Sequence, residues 1–302
     1  VTAYNLTFQP YRRRFRQPLQ THHGIWEVRE GIIVKLVDEL GNAGWGEIAP
    51  LPWFGSETLE DAIAFCRGLG EKIEVNDLKS IPSHLPACQF GLECAIPSVA
   101  SNPNFPKARY SYLLPAGENA LERWESLWQQ GGRTFKWKIG IHSLQQEIPL
   151  FEKLARSLPE GAKIRLDANG GLNLEAAKTW LQGLDLSKKV EFIEQPLPPS
   201  ELDAMVQLSG DFTTPIALDE SVATLQQLEG CYEKGWRGIF IIKPAIAGSP
   251  QQLRQFCQQY GIDAVFSSVF ETEIGRRAAL NLAAELSNPN RAIGFGVNHW
   301  FD

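Results

Sequence analysis

From Gly24 to Pro50 the chain reads GIWEVREGIIVKLVDELGNAGWGEIAP, with apolar and polar side chains alternating at a period of two. That period belongs to half-buried strands. Glu39-Leu40-Gly41-Asn42 supplies a turn, so the stretch predicts an antiparallel meander. The period then lengthens. In SETLEDAIAFCRGLGEKI apolar residues recur at helical spacing, which predicts a helix starting near Ser56. ACQFGLECAIPSV (87–99) predicts a second helix, and SNPNFPKA (101–108), rich in Pro and Asn, reads as a linker. An α+β capping domain is therefore expected over residues 1–100. A second domain is expected over 101–297, with the tail 298–302 packing back on the cap.

After Arg109 short apolar runs alternate with helical stretches. The runs are YSYLLP, TFKWKIG, KIRLDAN, VEFIEQP, PIALDES, GIFIIKP, DAVFSS and AIGFGV; the helical stretches extend from ALERWESLWQQG to EIGRRAALNLAAEL. A regular strand–helix repeat of this length predicts α/β architecture closed as a modified (β/α)7β TIM-type barrel. An open doubly wound sheet is the competitor. Its nucleotide-binding versions need G-x-G-x-x-G or G-x-x-x-x-G-K-[ST], and neither is present.

A barrel of this type carries its chemistry at the C-terminal ends of its strands. The polar residues there are Lys136 and Lys138, Asp167 and Asn169, Glu194, Asp219 and Glu220, Lys243, and Ser267 and Ser268. Steps of 24 to 27 residues separate Asp167, Glu194, Asp219, Lys243 and Ser267, one βα unit each, which brings them to one mouth. Taken singly, Asp219 or Asn169 reads equally as a helix N-cap, and a strand-end lysine as a solvated group. Glu194, between Phe192-Ile193 and Gln195-Pro196, is hard to place as a cap. Three carboxylates on successive strands repel one another unless a cation lies between them. Oxygen ligands on a rigid scaffold suit Mg2+, with Mn2+ as a substitute. Zinc would lack the Cys or His ligands it prefers.

Lys136 and Lys138, two apart on one strand, share a face, and Lys243 lies across the barrel. A substrate at the mouth would meet an amine on each side. A cation beside a lysine makes its proton easier to remove, which moves it toward general-base work.

Composition narrows the function classes. The net charge of -6 and the absence of a basic block argue against nucleic-acid binding. Arg12-Arg13-Arg14 reads as a solvated face. No apolar run reaches the length of a membrane span, and no signal-peptide core opens the chain. The odd number of cysteines, with no C-x-x-C pair, fits free thiols in a reducing, cytoplasmic setting. The histidines show no metal-ligand spacing, and His142 reads as a surface residue.

In KWK, LDAN, IEQP, LDES and IIKP, met in that order, the sequence resembles the enolase superfamily in its muconate-lactonizing-enzyme-like branch. Within it, the chain is most similar to the o-succinylbenzoate synthases, through ALDES, FSSVFETEIGRRAA and a GFGVNHW that lacks the acidic pair of dipeptide epimerases. The resemblance implies Asp167, Glu194 and Asp219 as Mg2+ ligands, and Lys138 and Lys243 as the groups on the two substrate faces. It implies syn-dehydration of a small anionic cyclohexadiene carboxylate by a monomer or weak homo-oligomer. Lys136, Asn169 and the region of Ser267 and Ser268 are expected to bind substrate. Arg165 is read either as a substrate contact or as a structural ion pair. Trp26, Trp53 and Phe54 are read as lid residues that exclude water or as ordinary cap packing. The alternative reaction is racemisation of N-acylamino acids, in which both lysines exchange one proton.

Overall fold

The computed structural model describes residues 3–21, 24–98 and 103–297. His22, His23, His299, the first part of the expected linker and the tail 298–302 lie outside the described residues. Among the described residues the strands form two sheets.

The first sheet is antiparallel, ordered β3-β2-β1-β4, from β1 (Ala3–Thr21), β2 (Gly24–Asp38), β3 (Ala43–Ile48) and β4 (Lys72–Glu74). The alternation along β2 sets its faces: Ile32, Val34 and Leu36 are fully buried, and the residues between them are half-buried. The expected turn lies between β2 and β3, where the Asp38 carboxylate accepts the N–H groups of Leu40 and Asn42 at 2.9 and 2.8 Å. β4 pairs only with Ala3–Asn5, so the arginine run of β1 lies on an open edge, and Arg12 meets Glu30 at 2.8 Å in solvent.

Three helices cover this sheet: α1 (Leu59–Leu69), α2 (Val75–Lys79) and α3 (Pro86–Cys94). α1, expected to start near Ser56, begins at Leu59 with Thr58 as its cap. The reason is a capping box in which Thr58 and Asp61 satisfy each other's N–H groups, while the Ser56 hydroxyl accepts the Leu51 N–H at 2.6 Å. α3 lies unusually close to the sheet. A Cβ at Gly44 or Gly46 would collide with the carbonyls of Ala95 or Gly91.

The second sheet is the barrel. It holds β5 (Tyr110–Leu113), β6 (Thr134–Lys138), β7 (Lys163–Asp167), β8 (Val190–Glu194), β9 (Ile216–Leu218), β10 (Ile239–Ile242), β11 (Asp263–Phe266) and β12 (Ile293–Gly296). They pair in parallel in the order β11-β10-β9-β8-β7-β6-β5-β12. A parallel bridge between Ser267 and Gly294 joins the two ends, so the sheet closes.

The outer helices are α4 (Ala120–Gln129), α5 (Leu144–Ser157), α6 (Leu174–Leu184), α7 (Leu202–Asp211), α8 (Leu225–Glu233), α10 (Pro250–Tyr260) and α11 (Glu273–Leu286). A four-residue turn of helix, α9 (Pro244–Ala247), follows β10. Outward strand residues such as Phe135, Trp137, Ile164 and Leu166 join the main core, whereas Phe192, Ala217, Ile239, Ile241 and Val265 form a separate plug inside the barrel. Among the described residues no helix is long and apolar enough to cross a membrane. The cysteines are free, and burial pushes the Cys66 and Cys257 thiols up to about 12, which makes them inert.

The tight cap packing is testable. Gly46→Ala places a methyl inside a backbone carbonyl and should cost at least about 3 kcal/mol. Gly68→Ala, on the exposed side of α1 with nothing within 4 Å of its Cβ position, should be neutral or stabilising by up to about 1 kcal/mol. Thermal midpoints of the two variants should move in opposite directions or differ by many degrees; equal midpoints would refute the packing argument.

Candidate active site

The alternation of β6 places Phe135 and Trp137 outward and Lys136 and Lys138 inward, and β7 does the same with Ile164 and Leu166 against Arg165 and Asp167. In the parallel register Lys138 stands level with Asp167, and Asp167 with Glu194. Asp219 follows β9 by one residue, and Lys243 follows β10 by one. Because β6 and β10 are four strands apart in a closed ring of eight, their lysines enter one pocket from opposite walls. All ten residues singled out from the sequence line this pocket.

Asp167, Glu194 and Asp219 are each no more than 3 % exposed. Their partners are ammonium groups. Lys136 Nζ lies 2.7 Å from Asp167 Oδ2 and 2.6 Å from Glu194 Oε1, and Lys243 Nζ is paired with Asp219 Oδ1. Burial opposes the charge on Lys136, but Asp167 and Glu194 outweigh it and hold its pKa above the usual lysine value. At Asp167 burial is overcome by Lys136 and Lys138, and the pKa falls. At Glu194 burial and the Asp167 charge win, and the pKa rises to about 7. Burial likewise lifts Asp219 to about 6 against the pull of Lys243. Among the described residues no three acidic, His or Cys side chains are drawn tightly enough together to grip one ion as placed, because ammonium groups stand between the carboxylates. The donor set itself, three buried carboxylates on one wall with oxygen atoms only, fits a hard divalent cation.

Several expected contacts take another form. Lys136 was expected at the substrate, but its ammonium is engaged by two carboxylates. Arg165 is 2 % exposed and gives its Nε–H to Glu191 at 2.7 Å and an Nη2–H to the Ala292 carbonyl at 2.8 Å, so it sits beneath the pocket as an ion pair. Asn169 gives its amide to Glu220 Oε1 at 3.0 Å and its N–H to Asp167 Oδ1 at 3.1 Å, which organises the carboxylate wall. The N–H groups of Ser267 and Ser268, expected to receive a carboxylate, donate to Ile242 O at 2.8 Å and Gly294 O at 3.1 Å. The ladder to β10 claims the first and barrel closure the second. The Ser268 hydroxyl donates to Glu271 at 2.9 Å. Asp219 precedes a short helical turn but makes no side-chain cap, which removes the N-cap reading. His142 is exposed in the loop after β6.

Sequence reasoning named the aromatic residues of the roof but missed the polar ones that brace it and the wall. Gln195 is fully buried with φ of 39°. Its carbonyl accepts the N–H of Asp219 at 2.9 Å, and its amide donates to Leu197 O at 2.8 Å and Ser221 Oγ at 2.7 Å, so one side chain fixes the end of β9. The roof comes from the cap. Trp26 meets Trp53 at 5.1 Å and Phe270 at 5.5 Å, edge to face, and the Phe54 ring lies 4.0 Å from Lys243 Nζ. The segment carrying Trp53 and Phe54 is bracketed by two buried charges. Arg29 donates to the carbonyls of Ala49 and Pro50 at its start. Glu57 at its end accepts the N–H groups of Ala87 and Cys88, at 3.0 and 2.7 Å, from the N-terminus of α3. A charge inside a run of strand alternation, as at Arg29, was the available signal.

Two family models match the chain: MenC, N-terminal domain, over residues 11–99, and Enolase C-terminal domain-like over residues 119–302. The o-succinylbenzoate synthase of Thermosynechococcus vestitus is 42% identical over 296 residues, 96% of this chain and 91% of that one. The crystal structure of o-succinylbenzoate synthase from Thermosynechococcus elongatus BP-1, complexed with Mg in the active site, superposes with a TM-score of 0.91 at 39% identity, covering 99% of this chain and 94% of that one. The L-Ala-D/L-Glu epimerase from Bacillus subtilis, at a TM-score of 0.79 and 20% identity over 98% of this chain and 90% of that one, shares the fold. A match that runs through cap and barrel alike, over the same strand ends that build the pocket, means that the chain belongs to the o-succinylbenzoate synthase family of the enolase superfamily.

Proposed function

We propose that this chain is a Mg2+-dependent o-succinylbenzoate synthase, which removes water from 2-succinyl-6-hydroxy-2,4-cyclohexadiene-1-carboxylate to give 2-succinylbenzoate for menaquinone or phylloquinone synthesis. The observation that carries this reading is the placement of Lys138 and Lys243 on opposite walls of one pocket, with three buried carboxylates on the strands between them. We take residues 1–100 as the cap, residues 101–297 as the catalytic barrel, and the protein as a cytoplasmic monomer or weak homo-oligomer.

Asp167, Glu194 and Asp219 would hold Mg2+, or Mn2+ in its place, and Lys136 and Lys243 would share the charge balance of that wall. When bound, the ion supplies electrostatic stabilisation of charge developing on the substrate carboxylate, worth several kcal/mol. Lys138 as the free amine accepts the α-proton. As the ammonium it then delivers a proton to the hydroxyl leaving from the same ring face, which makes the elimination syn. Lys243 remains a cation over the opposite ring face, where it stabilises the delocalised anion. Trp26, Trp53 and Phe54 exclude water from the pocket. Asn169 and Gln195 hold the carboxylate-bearing strand ends.

The test is a spectroscopic assay for loss of the cyclohexadiene absorbance. Lys138→Ala should lower turnover by a factor on the order of 10³ or more while leaving the thermal midpoint intact; retained turnover would refute the assignment. Lys243→Arg keeps a cation and should retain a measurable rate of dehydration, whereas a racemase exchanging one proton between two lysines would lose racemisation altogether. Chelation with EDTA should abolish dehydration and added Mg2+ restore it, with Mn2+ as a second restoring ion.

Phe54 offers a further check. Removing the ring with Phe54→Leu forfeits a contact worth about 1 kcal/mol or more at the Lys243 ammonium. It should lower kcat about fivefold or more, and Phe54→Tyr should recover it. Equal rates in all three proteins would mean that the ring does nothing for Lys243.

A further inference from the structure

The motif GWGE (44–47) is only half explained by the packing of Gly44 and Gly46 on α3. Glu47, its last residue, is fully buried and takes no part in the proposed chemistry. It sits on cap strand β3, yet its carboxylate reaches the N-terminus of an outer helix of the barrel. It accepts the N–H of Thr272 at 2.9 Å from each oxygen, the N–H of Gly275 at 2.9 Å and the Thr272 hydroxyl, all at the N-terminus of the 14-residue helix α11. The Tyr11 hydroxyl donates to it from β1 at 2.5 Å. A carboxylate on unpaired first-turn N–H groups makes charge-assisted hydrogen bonds at the positive end of the helix. A Cβ at Gly275 would lie 2.7 Å from Glu47 Oε2, so any larger residue there pushes on the carboxylate.

The segment just before that helix end, Ser267–Phe270, lines the pocket beyond β11, four strands round the ring from Asp167 on β7. Glu271 braces it from within by accepting the Ser268 hydroxyl at 2.9 Å and the Val269 N–H at 2.7 Å. Phe270 is thereby held at φ of 61°, and its ring meets Phe15 and Trp26 of the cap at 5.5 Å each. The wall is thus tied to the cap at two points: Glu47 on the helix behind it, and the rings of Phe15 and Trp26 at its tip.

We propose that Glu47 is a positioning residue for substrate affinity: through the N-terminus of α11 it sets the wall that receives the part of the substrate remote from the reacting carbon. The inference rests on the reading of this pocket as the substrate site. Because the wall carries none of the lysines or metal-binding carboxylates, Glu47 governs binding rather than the chemical step.

Glu47→Gln replaces one accepting oxygen with an amide that faces the N–H donors of Thr272 and Gly275. Gly275→Ala disturbs the same contact from the barrel side. Steady-state kinetics, thermal melts and the Kd of the product 2-succinylbenzoate, read by tryptophan fluorescence, should be measured for wild type and both variants. In both variants KM and the product Kd should rise roughly tenfold, with kcat within about threefold of wild type. A lower thermal midpoint with KM and Kd unchanged would show a purely structural clamp and overturn the inference; should Glu47→Gln fail to fold, the KM and Kd of Gly275→Ala decide it. A wild-type protein that neither dehydrates the cyclohexadiene nor binds the product would overturn the functional reading itself, and the inference with it.

Discussion

Three carboxylates, Asp167, Glu194 and Asp219, are held almost out of water on one wall of a closed barrel. Burying like charges side by side is costly unless positive charge is supplied where they meet. Lys136 and Lys243 supply part of it, and their ammonium groups lie directly on the acids. Even with Lys138 counted, three monocations against three acids and the nearby Glu220 leave the wall short of positive charge. That deficit is what an oxygen-seeking divalent ion would relieve, and it gives the pocket its reason to exist. Lys138, level with Asp167 on the next strand, sits where such a charge would act on whatever it handles.

The barrel keeps this arrangement from relaxing. In an open sheet the end strands could drift until the acids separated. Here the Ser267–Gly294 bridge closes the ring and takes up the Ser268 N–H. Gln195 ties the end of β9 to the end of β8, and Asn169 ties Asp167 to Glu220. Both residues adopt positive φ, a conformation that is tolerated where side-chain hydrogen bonds over-determine the backbone.

Buried charges set the cap: Arg29 and Glu57 bracket the segment carrying Trp53 and Phe54 from within it, and Glu47 crosses to α11 of the barrel. A charge buried at such a junction is directional. It fixes the roof in one position, where apolar packing alone would tolerate several.

Much of this was legible along the chain. The two-residue period marked the meander, the strand–helix repeat marked the barrel, and the even spacing of Asp167, Glu194, Asp219 and Lys243 brought them to one mouth. These properties depend on local periodicity and on a repeat length, which a linear pattern records. Lys136, Ser267 and Ser268 show where that record ends, since ammonium and backbone N–H groups that look available in the sequence are taken by partners 25 or more residues away. Arg29 left one signal, a charge inside a strand alternation, but Gln195, Glu57 and Glu47 passed unnoticed because nothing nearby in sequence distinguishes a buried, hydrogen-bonded polar side chain from an exposed one. The sequence by itself determined which faces are apolar, how many units the barrel has and which acids and amines reach its mouth. Only the tertiary structure decided which of those groups remain open to a substrate, because that depends on which donors and acceptors the closed ring and the docked cap have already paired.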